Sequence, residues 1–122
     1  MRCDPTLKTI ALRFSNGMDP EDYAAFPAFD ADATLCKWNR WGCIDGRDGA
    51  QAVLKALELD TTGFDRFISA AADTVVSRSN TDLVAEVFPD VPVTHDLDDH
   101  ETLLSIDKAR RALGYNPQHS WR

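Results

Sequence analysis

The stretch GCIDGRDG spaces three glycines, Gly42, Gly46 and Gly49, ahead of a run with helical periodicity. Glycines so placed between a strand and a helix let the backbone approach a pyrophosphate, which then rests on the helix N-terminus. Two features oppose that chemistry here. The residues before Gly42, CKWNRW, are polar where a buried strand is required, and Asp45 and Asp48 would repel phosphate. A second candidate group is Phe14, Ser15 and Asn16, which close an apolar run. The C-terminal ends of strands are where open parallel sheets hold their ligands. Asn16 precedes Gly17, so it serves either a ligand or an Asn-Gly turn. Trp38 and Trp41 either line a substrate pocket or pack within the fold. His95 and His100 stand among Asp96, Asp98, Asp99 and Glu101, a pattern read as a solvated loop. Cys3, Cys36 and Cys43 are an odd, sparse set without the close spacing of zinc ligands. They read as reduced thiols, and no metal site is expected.

These residues need a scaffold. Residues 7–14, LKTIALRF, read as a strand buried on both faces. A turn-rich loop follows, then a short helical turn over 20–25 and a long irregular loop. KWNRWGCID reads as a short strand. Asp48 is expected to cap a helix whose Ala50, Val53, Leu54 and Leu57 share one face and which stops near Asp60. Residues 64–70 suggest another strand. Ser79, with Asp82 three residues on, opens a helix that stops before Pro89. VPVTHD reads as a strand or extended segment. Ser105 caps a last helix that Gly114 ends, and Pro117 prevents its resumption. Strands alternating with helices predict an α/β domain with a parallel sheet.

At 122 residues the chain is expected to form one domain. Its 43% hydrophobic content is that of a globular protein. Twenty carboxylates against 13 Lys and Arg give a net charge of −7, which repels nucleic-acid backbones. No apolar run approaches the ~20 residues that cross a membrane. The opening MRCDPTLK lacks the apolar segment of a signal peptide, so a cytoplasmic location is expected.

Four segments, in order, resemble the extended short-chain dehydrogenase/reductase family, the NAD-dependent epimerases and dehydratases. Residues 103–121, LLSIDKARRALGYNPQHSW, are similar to the family's closing helix and tail. Residues 11–20, ALRFSNGMDP, are similar to the strand after its catalytic Tyr-x-x-x-Lys. CIDGRDGAQAVLKALE and GFDRFISAAADTVVSRSNTDLV are similar to the intervening pieces. The resemblance implies a partial Rossmann-like fold over 1–122: the C-terminal portion of an NAD(P)-binding domain plus a small substrate-binding lobe. It implies a C-terminal fragment of an epimerase/dehydratase-type oxidoreductase, inactive alone, that supplies the substrate pocket. Phe14, Ser15, Asn16, Trp38 and Trp41 are then the residues nearest substrate and cofactor. The family binds NAD or NADP and a small-molecule substrate. Tyr23 is followed four residues on by Pro27 and Tyr115 by His119, so neither forms Tyr-x-x-x-Lys. Without that motif and the glycine turn, no catalytic residue and no cofactor are expected for the isolated chain. A separate N-terminal half is the partner the resemblance implies, and an uncovered edge at TIALRF is expected to drive homo-oligomerisation. The alternative is a stand-alone, non-catalytic binding or oligomerisation module derived from the family.

Overall fold

The computed structural model of the protein describes residues 4–122; Cys3 lies outside the described residues. In chain order the elements are β1 (Lys8–Phe14), β2 (Asn16–Met18), a 3-10 helix Pro20–Asp30, a 3-10 turn Lys37–Asn39, β3 (Cys43–Asp45), α1 (Gly46–Glu58), β4 (Gly63–Ser69), α2 (Asn80–Val87) and α3 (Asp107–Leu113). Two short parallel sheets result. β1 lies against β4, with Lys8 opposite Gly63 and Phe14 opposite Ser69. β2 lies against β3, with Asn16 opposite Cys43. Single backbone bonds join the sheets: Ser15 N–H donates to the Ser69 carbonyl (3.3 Å), and Ala71 N–H to the Cys43 carbonyl (2.7 Å). This is a small mixed α/β domain. None of its described helices is long and apolar enough to cross a membrane.

Two apolar clusters hold it together. Ile44, Ala52, Phe67, Ile106, Leu113 and Tyr115 bring α1 and α3 against the strands. Phe26, Trp41, Val75, Val76 and Leu83 bring α2 and the Pro20–Asp30 segment together on the other side.

Several local expectations are corrected. The N-cap of α1 is Asp45, whose side chain accepts the Arg47 N–H, and Asp48 lies inside the helix. The buried stripe of α1 is Ala52 and Ala56, whereas Val53, Leu54 and Leu57 face outward, Leu57 at 69% exposure. Alanine lets the helix approach the strands closely, and the larger side chains are left toward its exposed flank, Val53 and Leu57 beside the β1 edge. β1 is only half-buried, not covered on both faces; among the described residues its main neighbours are β4 and α1. Residues 91–96, VPVTHD, form no strand. KWNRWGCID is a 3-10 turn followed by β3, because Arg40 and Trp41 both take left-handed backbone (φ 54° and 53°) that no strand tolerates. The helical turn after Asp19 continues as a 3-10 run to Asp30, through Pro27. α3 is capped at Ile106 rather than Ser105, and Gly114 ends it in the left-handed conformation at φ 69°.

Candidate functional site

The C-terminal ends of β1 and β4 open onto a cleft of about 210 Å³, whose walls include Arg13, Phe14, Ser15, Trp38 and Arg40. Three of the five residues singled out in the sequence thus come together. Phe14 is half-exposed and Trp38 is 84% exposed at the rim. Asn16 is exposed as the first residue of β2 and does not line the cleft. Gly17 lacks the positive φ of a hairpin turn, so Asn16–Gly17 is strand backbone. Trp41 is fully buried, and its Nε1–H donates to the Ala33 carbonyl at 2.8 Å. It packs edge-on against Phe88, so it belongs to the core beneath the cleft.

The turn over 36–42 sets the rim. Trp41 N–H donates to the Cys36 carbonyl (3.0 Å) and Gly42 N–H to the Asn39 carbonyl (3.0 Å). The Asn39 side-chain amide donates to the Gly42 carbonyl (2.9 Å). A Cβ at Gly42 would meet Leu104 Cδ1 at 2.7 Å and Ser15 Oγ at 3.1 Å, so glycine lets these two residues close the cleft floor. Two consecutive non-glycine residues in left-handed backbone cost roughly 1–2 kcal/mol each. The buried indole of Trp41 and this bonding hold them there. The result is that Trp38 and Arg40 project from the surface while Trp41 turns inward.

Gly42, Gly46 and Gly49 do not form a phosphate loop in this arrangement. β3 lies between Gly42 and Gly46, so the first glycine precedes the strand instead of following it. The α1 N-terminus is already occupied by the Asp45 carboxylate. Arg47 donates to it through Nε and Nη2, each at 2.8 Å, and Tyr23 donates its hydroxyl. Arg47 first, and Tyr23 after it, hold the Asp45 carboxyl well below the usual carboxylate range, against the effect of burial. Burial, then Asp45, pushes the Tyr23 hydroxyl up to about 12. Burial chiefly pushes the Cys43 thiol up to about 12 as well. Neither group is poised for proton exchange or nucleophilic attack near neutrality. Among the described residues no three His, Cys, Asp or Glu side chains gather as a metal centre.

The Asp45 pair carries a pH signature. A carboxyl depressed by folding contributes stability fully above its unfolded value of about 3.9, and loses it as pH falls toward the folded value. Asp45→Asn should therefore cost about 2 kcal/mol at pH 7, where hydrogen bonds to a charged group are worth about 1.5–3 kcal/mol. The exposure of Arg47 screens the pair and keeps the figure modest. From about pH 4 downward the difference should shrink progressively, with part of it still present at about pH 3 because the folded value lies well below that. Urea unfolding at pH 7 and pH 3 measures both, and a difference that persists undiminished at pH 3 contradicts the assignment.

Sequence reasoning missed Arg13, Lys37 and Arg40. Part of their signal was present, two cations beside Trp38 in KWNR in a chain with 20 carboxylates; Arg13 is distant in sequence. No family model, curated protein or solved structure matches the chain.

Proposed function

We propose that the chain is the C-terminal portion of an NAD(P)-dependent epimerase/dehydratase-type oxidoreductase. In this reading it supplies the substrate side of the active site and the end of a Rossmann-like sheet, and is inactive alone. The observation that carries the reading is the unpaired edge of β1. All-parallel sheets are normally covered on both faces by helices, and two strands alone are marginal. Here β1 has a single strand neighbour among the described residues. Ile10 and Leu12, with Val53 and Leu57 of α1, line an open apolar cleft beside it. Phe64, opposite Thr9 on the other face of the sheet, is 50% exposed, so that face is open as well. An apolar surface of this kind marks an interface. A preceding half-domain that adds strands to β1 would cover it. That half would also bring the glycine turn and the Tyr-x-x-x-Lys pair to the cleft at Phe14 and Ser15. Without that half, the same edge pairs with a second copy of the chain.

Calorimetry with NAD(H) and NADP(H) tests this directly. The isolated chain should show no micromolar binding. Co-purified with a first half of the family that bears the missing motifs, it should form a complex that binds cofactor. Leu57→Asp, exposed on α1 in the same cleft, should abolish that complex. Micromolar cofactor binding or turnover by the chain alone overturns the reading. So does failure of any first half to engage β1 while hydrogen exchange shows the β1 edge already protected in the monomer.

A further inference from the structure

Beside the cleft at the strand ends lies a larger one of about 390 Å³, between the Lys37–Asn39 turn, the end of α2 and residues 91–97. Trp38 and Arg40 belong to both. The larger cleft is walled by Val84, Phe88, Val91, Val93 and Leu103, and its size is that of a small-molecule pocket. Its cations, Lys37 and Arg40, flank Trp38, with Thr94 and His95 as further polar groups from residues 91–97, and Arg13 follows in the adjoining cleft.

The charge pattern decides what fits. Carboxylates outnumber Lys and Arg by 20 to 13 in this chain, yet no Asp or Glu lines either cleft. Arg13, Lys37 and Arg40 have no carboxylate within 4.0 Å among the described residues, as is also true of Lys8, Arg66, Arg110 and Arg111, whereas Arg47, Lys55, Arg78, Lys108 and Arg122 are ion-paired. Asp32 acts on Lys37 electrostatically but lies in neither wall. Lys37 Nζ instead sits 4.9 Å from the centre of the Trp38 ring. An indole 84% exposed, with a cation over it, is a stacking platform with an anion partner at its edge. The left-handed backbone at Arg40 is a strained conformation of a kind concentrated at ligand sites.

We infer that the joined clefts bind a small planar aromatic anion. Its ring lies on Trp38 and against the Phe88 and Val84 wall, and its carboxylate meets Arg40 and Lys37. Arg13 reaches the same anion from the strand-end side. Such a ligand has the apolar body and single charged head that the two parts of the site separately demand. This inference does not rest on the oxidoreductase reading, because binding is measured on the chain alone.

Naphthalene-2-carboxylate is the probe, with naphthalene-2-carboxamide as its neutral isostere and 2-naphthylmethylammonium as the opposite charge. Calorimetry and two-dimensional NMR titration of the full chain should give about tenfold tighter binding of the carboxylate than of the carboxamide. The ammonium compound should bind weakest, and the carboxylate's preference should shrink with added salt. The Trp38 indole N–H resonance should move with the titration. Arg40→Gly suits the left-handed backbone, so the turn keeps its shape while the guanidinium is lost. That variant should lose about tenfold in carboxylate affinity and leave carboxamide affinity unchanged. Trp38→Ala, at an exposed position, should weaken both. Equal affinity for carboxylate and carboxamide, no binding at millimolar concentration, or shifts confined to the Ile10–Leu57 face would each overturn the inference.

Discussion

Trp41→Ala should destabilise the protein by about 3–5 kcal/mol, the range for removing a large buried aromatic. Trp41 is fully buried, and three bonds fix it. Its indole donates to the Ala33 carbonyl, its N–H donates to Cys36, and its carbonyl accepts the Val75 N–H at 2.8 Å. Alanine leaves a void beside Phe26 and Phe88 and strips the Ala33 carbonyl of its donor. Relief of left-handed strain offsets little, since alanine at φ 53° carries the same Cβ penalty. Trp41→Phe separates the terms: it keeps most of the volume and loses the indole bond, so about 1–2 kcal/mol is expected. Urea unfolding of the two variants measures the difference. A loss below 1 kcal/mol for Trp41→Ala would mean that this core does not depend on the indole. The consequence reaches the surface, because Trp41 anchors the turn that presents Trp38 and Arg40. Trp41→Ala should therefore also weaken binding of the aromatic carboxylate, although Trp41 itself lines neither cleft.

The regular elements were the legible part of this sequence. Apolar runs at 7–14 and 64–70 are strands, and Ser79, Gly114 and Pro89 mark helix ends by chemistry that acts within a few residues. What lay beyond reach was decided over longer distances. Helical periodicity placed Val53, Leu54 and Leu57 on one face but could not tell which face turns inward. Close packing against β3 and α3 selected the alanines. The left-handed pair at Arg40 and Trp41 has no local signature, since neither residue favours that backbone. It exists because the buried indole overrules propensity. The two tryptophans were named together, and the structure separates them into a platform and an anchor. Phe14 and Ser15 reach the cleft as strand-end logic expects, but Asn16 does not, because β2 continues past it in parallel pairing with β3. Cation clustering around Trp38 was visible in the sequence as KWNR. Its meaning depended on Arg13, which only the fold brings alongside.

Replacement of Asp48 by alanine should cost about 3 kcal/mol and release the C-terminal segment from α1. A helix cap would contribute about 1 kcal/mol, which is what the sequence position alone suggests. The structure assigns this carboxylate another task. Asp48 is fully buried; its Oδ1 accepts the Gln118 N–H at 3.0 Å and lies 2.9 Å from His119 Nδ1, while its Oδ2 accepts the His119 N–H at 3.0 Å. Gln51, one turn along, brackets Asn116: its Nε2 donates to the Asn116 carbonyl at 2.9 Å and its Oε1 accepts the Asn116 N–H at 2.8 Å. Tyr115 enters the core and donates to the Ala70 carbonyl at 2.8 Å. Trp121 then packs edge-on against Phe26 and donates to the Thr74 carbonyl. The segment thus runs from one apolar cluster to the other, with Asp48 as its midpoint clamp. Charge-assisted bonds of this kind are worth about 1.5–3 kcal/mol each in favourable cases, and solvent access to His119 limits their sum here. Hydrogen exchange distinguishes the two roles. If Asp48 clamps the segment, the Gln118 and His119 amides should lose protection in Asp48→Ala while α1 amides keep theirs. Asp48→Asn should restore part of the stability, since its carbonyl can still accept one N–H. Loss of protection confined to the first turn of α1, with Gln118 and His119 unchanged, would return Asp48 to the role of a cap.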